Sequence, residues 1–284
     1  SGRELELFPR WGGGKSLEPL GIVNPLAPDQ VILRITLLPS LLKSVASNLR
    51  YQSQVAIFEI ARVYLPREGD LPQERRSLAI VMAGSQGKGL WSGDKDFDFY
   101  DLKGALEGLL EGMGISRFQF APAPYPAFSP GKGVGLLLGE GAHLVGVGGE
   151  LREERATPFD LQGRSVWLAE LDFDVLLEYA TVRRPYQPLP RYPAVIQAIA
   201  LLVDEEVPAG RVQELIWEAG GELLAEVTLF DIYRGEQIPP GKKSLAYSLA
   251  YRAPDRTLTD EQVMEAQGRV LEGLRKAVGA ELRR

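Results

Sequence analysis

The chain has no cysteine and a single histidine in 284 residues. Without cysteine there is no disulfide, no thiolate nucleophile and no cysteine zinc site. This agrees with a cytoplasmic setting. One histidine, His143, is too few for a metal site built from several histidines, and no Ser-His-Asp triad can be built around it alone. It sits in GEGAHLVGVGGE, whose alternation predicts a strand and a structural role. No apolar run reaches 18 residues, so no membrane span is expected. No basic, apolar-cored leader opens the sequence, so secretion is not expected. A basic excess is also missing, since the net charge is −6. Residues 183–284 hold 14 Lys+Arg against 15 Asp+Glu, and residues 1–182 hold 18 against 23. Nonspecific nucleic-acid binding normally needs a positive field, so any RNA contact must be local or supported by a partner.

What is present is the composition of a globular protein, 45% hydrophobic and 25% charged, in a chain long enough for two domains. WGGGK near the start is Gly-rich, but the spacing of a phosphate loop is absent. Residues 37–50 place Leu38, Leu41, Leu42, Val45 and Leu49 at helical spacing, with Pro39 in the first turn. Val55–Leu65 is apolar and β-branched and reads as a buried strand; Ser77–Gly84 reads as another. Residues 101–113 predict a helix with Leu102, Leu106, Leu109 and Leu110 on one face. Residues 121–135 predict a Pro/Gly loop, and Gly135–Val147 and Val166–Leu171 predict strands. The sum is an α+β domain with a mostly antiparallel sheet. Four prolines in TVRRPYQPLPRYP then mark a stiff linker. The expected division is 1–182, a linker at 183–193, and 194–284.

The last stretch reads strand, helix, strand, strand, helix, with a possible short final strand. That order is the βαββαβ unit of a ferredoxin-like domain. Thr259 and Gln262 have capping-box spacing at the second helix, and Asp260 and Glu261 favour its positive start. That helix buries Val263, Ala266, Val270 and Leu274. Along Ser244–Arg252 the large residues Leu245, Tyr247, Leu249 and Tyr251 take one face, and Ser244, Ala246, Ser248 and Ala250 the other. On the preceding strand, alternation sends Phe230 and Ile232 inward and Leu229, Asp231 and Tyr233 outward. The open face therefore gathers Asp231, Tyr233, Ser244 and Ser248. An acceptor, an aromatic ring and hydroxyls on a bare sheet are what grips an unstacked RNA base, although outward serine and aspartate usually only face water.

The runs LFDIYRG, GKKSLAYSLAYR and RTLTDEQV, in that order, resemble the anticodon-binding domain at the C-terminus of bacterial phenylalanyl-tRNA synthetase β subunits. The resemblance extends upstream. NPLAPDQVILRITLLPSLLKSVASNLR, FEIARVY, DFYDLKGALEGLL and AELDFDVLL are similar to that family's class II synthetase-like domain, which has lost its catalytic motifs and packs on the catalytic α subunit. The resemblance implies a class II synthetase-like antiparallel-sheet domain followed by a ferredoxin-like domain, in a C-terminal part of a β subunit. It implies that Asp231 and Ser244 help to recognise the first anticodon base of tRNA-Phe. It implies a catalytic α subunit as partner in an α2β2 assembly. It assigns ATP and magnesium to the complete enzyme, with no cofactor or active site in this chain. Three departures stand out. Ile196-Gln197-Ala198 replaces the family's Arg-Asp pair, SPGKG at Ser129–Gly133 lacks the family's His, and Ala61 stands where the family has Gly.

Two other readings remain open at this stage. One is a repurposed RNA-binding or regulatory module. The other is a small-molecule enzyme using Asp94, Asp96, Asp98 and Asp101 in GDKDFDFYD. A calcium loop beginning at Asp94 would need Gly at Phe99 and Glu at Ala105, so these aspartates are expected only to solvate a loop leading into a helix. Glu59 and Arg62 resemble the charged strand of a class II site. With no other part of such a site visible, Arg62 is expected to be structural or at a subunit interface.

Overall fold

The computed structural model describes every residue except 1–6, 12–16, 28–30, 68, 86–94, 140, 182–185, 187–188, 236 and 284. Most of WGGGK, Asp94 and part of the linker lie outside the described residues. The chain divides into Ser1–Pro185 and Tyr186–Arg284.

In the first unit, helix α1 (Leu38–Asn48) is followed by strands β1 (Gln54–Leu65) and β2 (Gln73–Gly84) and by helix α2 (Phe99–Gly112). Strands β3 (Phe118–Pro122), β4 (Phe128–Leu138) and β5 (His143–Leu151) come next. Then follow the single turn α3 (Glu153–Ala156), strand β6 (Val166–Asp172) and helix α4 (Phe173–Tyr179). The strands form one antiparallel sheet in the order β1-β2-β6-β5-β4-β3. Within β2 the run Leu78–Ala83 is apolar at every position because both faces are covered. Ala79, Val81 and Ala83 join α1 in one core, and Leu78, Ile80 and Met82 join α2 in another.

Three expectations change here. Residues 54–65 form an edge strand, not a buried one, and Phe58 on it is 70% exposed. The expected loop at 121–135 contains the end of β3 and the start of β4. Its glycines are needed because a Cβ at Gly133 would meet the Ala123 carbonyl at 2.5 Å. The expected strand 135–147 is a hairpin of β4 and β5, with exposed His143 opening β5 opposite Leu138.

In the second unit, β7 (Val195–Asp204), α5 (Ala209–Gly220), β8 (Leu224–Tyr233), β9 (Lys242–Tyr251), α6 (Asp260–Val278) and β10 (Glu281–Leu282) give the expected βαββαβ order. The antiparallel sheet runs β10-β7-β9-β8. Both capping-box bonds at Thr259 and Gln262 are present. Val263, Ala266, Val270 and Leu274 are buried with Leu245, Tyr247, Leu249 and Tyr251 in one core. Gly279 ends α6 at φ 63°, a left-handed conformation that suits glycine, and turns the chain into β10.

Candidate nucleic-acid interface

Both helices of the second unit lie on the face of its sheet that carries the large residues. On the other face, the register aligns three-residue rows across β7, β9 and β8. These are Leu202–Ser244–Tyr233, Ala200–Ala246–Asp231, Ala198–Ser248–Thr228 and Ile196–Ala250–Glu226. Asp231, Tyr233, Ser244 and Ser248 therefore share one face. Serine and alanine alternate at the centre of the rows, on β9, and these small side chains keep the floor low between an aromatic ring and a carboxylate. A flat ring can lie on such a floor and have its edge read by hydrogen bonds.

The strand β8 has two register shifts, between Leu224 and Glu226 and between Leu229 and Asp231, and the second breaks the alternation expected over Leu229–Tyr233. A β-bulge separates Leu229, opposite Tyr247, from Asp231, opposite Ala246. The extra residue is Phe230. Leu229 therefore packs against the core instead of facing outward, and Phe230 is 59% exposed instead of inward. Ile232 lies opposite the inward Leu245 and is 41% exposed at the sheet edge. Asp231 and Tyr233 keep their expected face because the bulge lies before them.

Ser244 is on the bare face and yet only 3% exposed. Its neighbour across the row, Tyr233, is held on two sides. A Cβ on Gly235 would sit 2.5 Å from the Tyr233 hydroxyl, so the glycine lets the ring lie close to the turn. The Arg283 guanidinium lies 5.1 Å from the ring centroid and donates to Gln237 Oε1 at 3.0 Å. The Arg283 backbone N–H donates to the Ala200 carbonyl at 2.8 Å. Since β10 is at one edge of the sheet and β8 at the other, the Arg283 and Tyr233 side chains must reach toward each other across the positions of β7 and β9 to meet. Sequence reasoning missed Arg283. Its only signal was a charged ELRR ending just beyond the glycine that closes α6.

The first unit uses its charges differently. Glu59 is bonded by Arg34 at 2.9 Å and Arg62 bonds Glu74 at 2.9 Å, so both charges of the FEIAR strand are paired within the fold. Asp98 accepts from the Tyr100 and Asp101 amides, and Asp101 accepts from the Asp98 amide; the acidic run thus caps α2. The hydrogen bond from Lys95 holds the Asp98 carboxyl below its ordinary range. Among the described residues, no group of three or more His, Cys, Asp or Glu is placed to hold a metal. Glu170, on β6, is fully buried. It accepts from the Leu37 amide at 2.8 Å, the Thr36 hydroxyl at 2.7 Å and the Ser77 hydroxyl at 3.0 Å, which ties the start of α1 to the sheet. Burial pushes its carboxyl above the ordinary range, against the pull of those donors and of Arg10.

Comparison with known proteins bears on both units. Residues 4–173 match the family model described as phenylalanyl tRNA synthetase beta chain CLM domain, and residues 190–283 match the ferredoxin-fold anticodon binding domain. The chain is 43% identical over 267 residues to the phenylalanine–tRNA ligase beta subunit of Symbiobacterium thermophilum, covering 93% of this chain and 30% of that protein. It is 39% identical over 273 residues to the subunit of the same name from Geobacillus kaustophilus, covering 95% and 34%. With that of Bacillus cereus strain ZK / E33L the identity is 38% over 270 residues, covering 94% and 33%. The chain thus spans about a third of the length of these relatives.

Proposed function

The chain belongs to the phenylalanyl-tRNA synthetase beta-chain family, and from that premise we propose that it grips the anticodon of tRNA-Phe and supports a catalytic α subunit. Residues 194–284 are the tRNA-contacting domain, residues 1–182 are the scaffold, and 183–193 join them. The observation that carries this reading is the register of β8 and β9. It gathers Asp231, Tyr233, Ser244 and Ser248 on the one uncovered sheet face of a unit that matches an anticodon-binding family model.

Each side chain has a physical task there. Tyr233 offers a ring for stacking, Asp231 accepts from a base edge, and the serine hydroxyls donate or accept. The nearly balanced charge of residues 183–284, 14 Lys+Arg against 15 Asp+Glu, is consistent with reading a base locally instead of attracting the whole RNA backbone. In the complete enzyme, an α2β2 assembly in the cytoplasm, ATP and magnesium serve aminoacylation. No residue of this chain is assigned to holding them. The scaffold role is supported by the matched first unit and by the exposed Phe58 and Ile60 on edge strand β1, an apolar strip suited to a protein partner. Similarity to β subunits over more than nine-tenths of the chain does not favour a repurposed module.

The test is discrimination between tRNA-Phe and the same tRNA with its first anticodon base changed. Asp231→Ala and Ser244→Ala are expected to lower that discrimination by about tenfold each, the cost of roughly 1–2 kcal/mol for a lost hydrogen bond, a charged one for Asp231. Unchanged discrimination in both variants would remove these residues from the site.

A further inference from the structure

Arg283 lies over the ring on which the proposed function depends. We propose that β10 and Arg283 form a built-in cap on the base-binding face. In the RNA-free chain the guanidinium occupies a face of Tyr233 that a base would stack on, and RNA enters when the tail lifts. This inference rests on the reading of Asp231, Tyr233, Ser244 and Ser248 given above.

Three observations carry it. The first is the contact itself, a guanidinium 5.1 Å from the ring centroid and fixed by the bond to Gln237. The second is Ser244, which faces the bare side of the sheet and is nevertheless 3% exposed. Its neighbour in the row is Tyr233, the ring that Arg283 contacts, and Arg283 starts from the adjacent row, beside Ala200. The third is how little holds β10. Among the described residues it pairs with β7 through Glu281 and Leu282 alone. Beyond that pairing it has the Arg283 amide bond to Ala200 and a Lys242–Glu281 ion pair at 3.4 Å. The pair is largely exposed and adds little. A tail held this way can open locally while the core stays folded.

The cap lowers apparent affinity by the fraction of molecules in which the face is open. An exposed guanidinium–ring contact corresponds to a population ratio of about two- to fivefold, and the Gln237 bond adds to it. Arg283→Ala is therefore expected to tighten tRNA-Phe binding by about threefold to tenfold, chiefly through faster association. Gln237→Ala, which leaves Arg283 in place, is expected to give a smaller gain.

The experiment measures tRNA-Phe binding by the 284-residue chain and the two variants. Alongside it, the nitration rate of Tyr233 in the RNA-free chain is followed by mass spectrometry, with exposed Tyr186 as internal reference. Faster nitration of Tyr233 in Arg283→Ala together with tighter binding supports the cap. Equal nitration overturns it. Weaker or unchanged tRNA binding by Arg283→Ala also overturns it, and weaker binding makes Arg283 an RNA contact instead. If nitration rises while no form of the chain discriminates the anticodon, the covered ring stands and the functional reading fails.

Discussion

The two sheets of this chain differ in what they leave bare. The six-stranded sheet has a core on each face, with α1 on one side and α2 and α4 on the other, and its open positions are its two edge strands, β1 and β3. The four-stranded sheet has α5 and α6 on one face and, among the described residues of its own unit, no element on the other. A sheet covered twice can bury a carboxylate among donors and fix one packing, as Glu170 does. A sheet covered once keeps its polar residues available for a ligand. The proposed scaffold and the proposed binding surface thus differ in layer architecture, before any single residue is considered.

The sharpest way to break this comparison is at Glu170. Replacing it by Leu leaves the Leu37 amide and the Thr36 hydroxyl buried without their acceptor, while the Ser77 hydroxyl keeps the Leu171 carbonyl at 3.1 Å. The expected loss is about 2 kcal/mol or more, at roughly 1–3 kcal/mol for each orphaned group. It should appear as lost hydrogen-exchange protection in α1, β2 and β6. A loss under about 1 kcal/mol would mean that the network does not anchor α1. The same residue sets a pH dependence. Its folded pKa is raised, so its contribution is fully present below the ordinary carboxylate range and is lost as pH rises through the folded value. Glu170→Gln should flatten that part of the stability profile.

A smaller effect separates two tyrosines of the second core. Tyr247 donates to the Ala209 carbonyl at 2.8 Å and so ties β9 to the start of α5. The Tyr251 hydroxyl is buried with no partner among the described residues. Tyr247→Phe is expected to cost about 1 kcal/mol in urea unfolding, and Tyr251→Phe to be neutral or slightly stabilising. Equal losses would contradict the assigned bonding.

The smallest effect tests the bulge. Phe230→Ala should change stability by under about 0.5 kcal/mol because the ring is largely exposed. Leu229→Ala, which truncates a residue packed on the core, should cost more. The reverse order would restore simple alternation along β8.

That bulge also marks the limit of what the sequence reveals. Alternation placed Asp231, Tyr233, Ser244 and Ser248 on one face because side chains in regular strands have a period of two. It misplaced Leu229 and Phe230 because nothing in the residues announces an inserted position. Helices α1, α2 and α6 were legible from apolar spacing and caps. The β4–β5 hairpin was not, because its turn lies inside a Gly-rich run that reads as continuous strand. Residues 54–65 read as buried because their side chains are apolar. Whether a neighbouring strand lies beside an edge is set by topology, which composition does not encode. The contact of Arg283 with Tyr233 and Gln237 joins opposite edges of the sheet and depends on the whole sheet order.

The central claim is that the bare face of the four-stranded sheet reads the first anticodon base. The most direct measurement titrates the chain at low salt with tRNA-Phe and with the same tRNA carrying a different first anticodon base, first alone and then with the α subunit added. The account predicts tighter binding of the unchanged tRNA and loss of that preference in Asp231→Ala. Equal affinity for both tRNAs, with and without the α subunit, would contradict it.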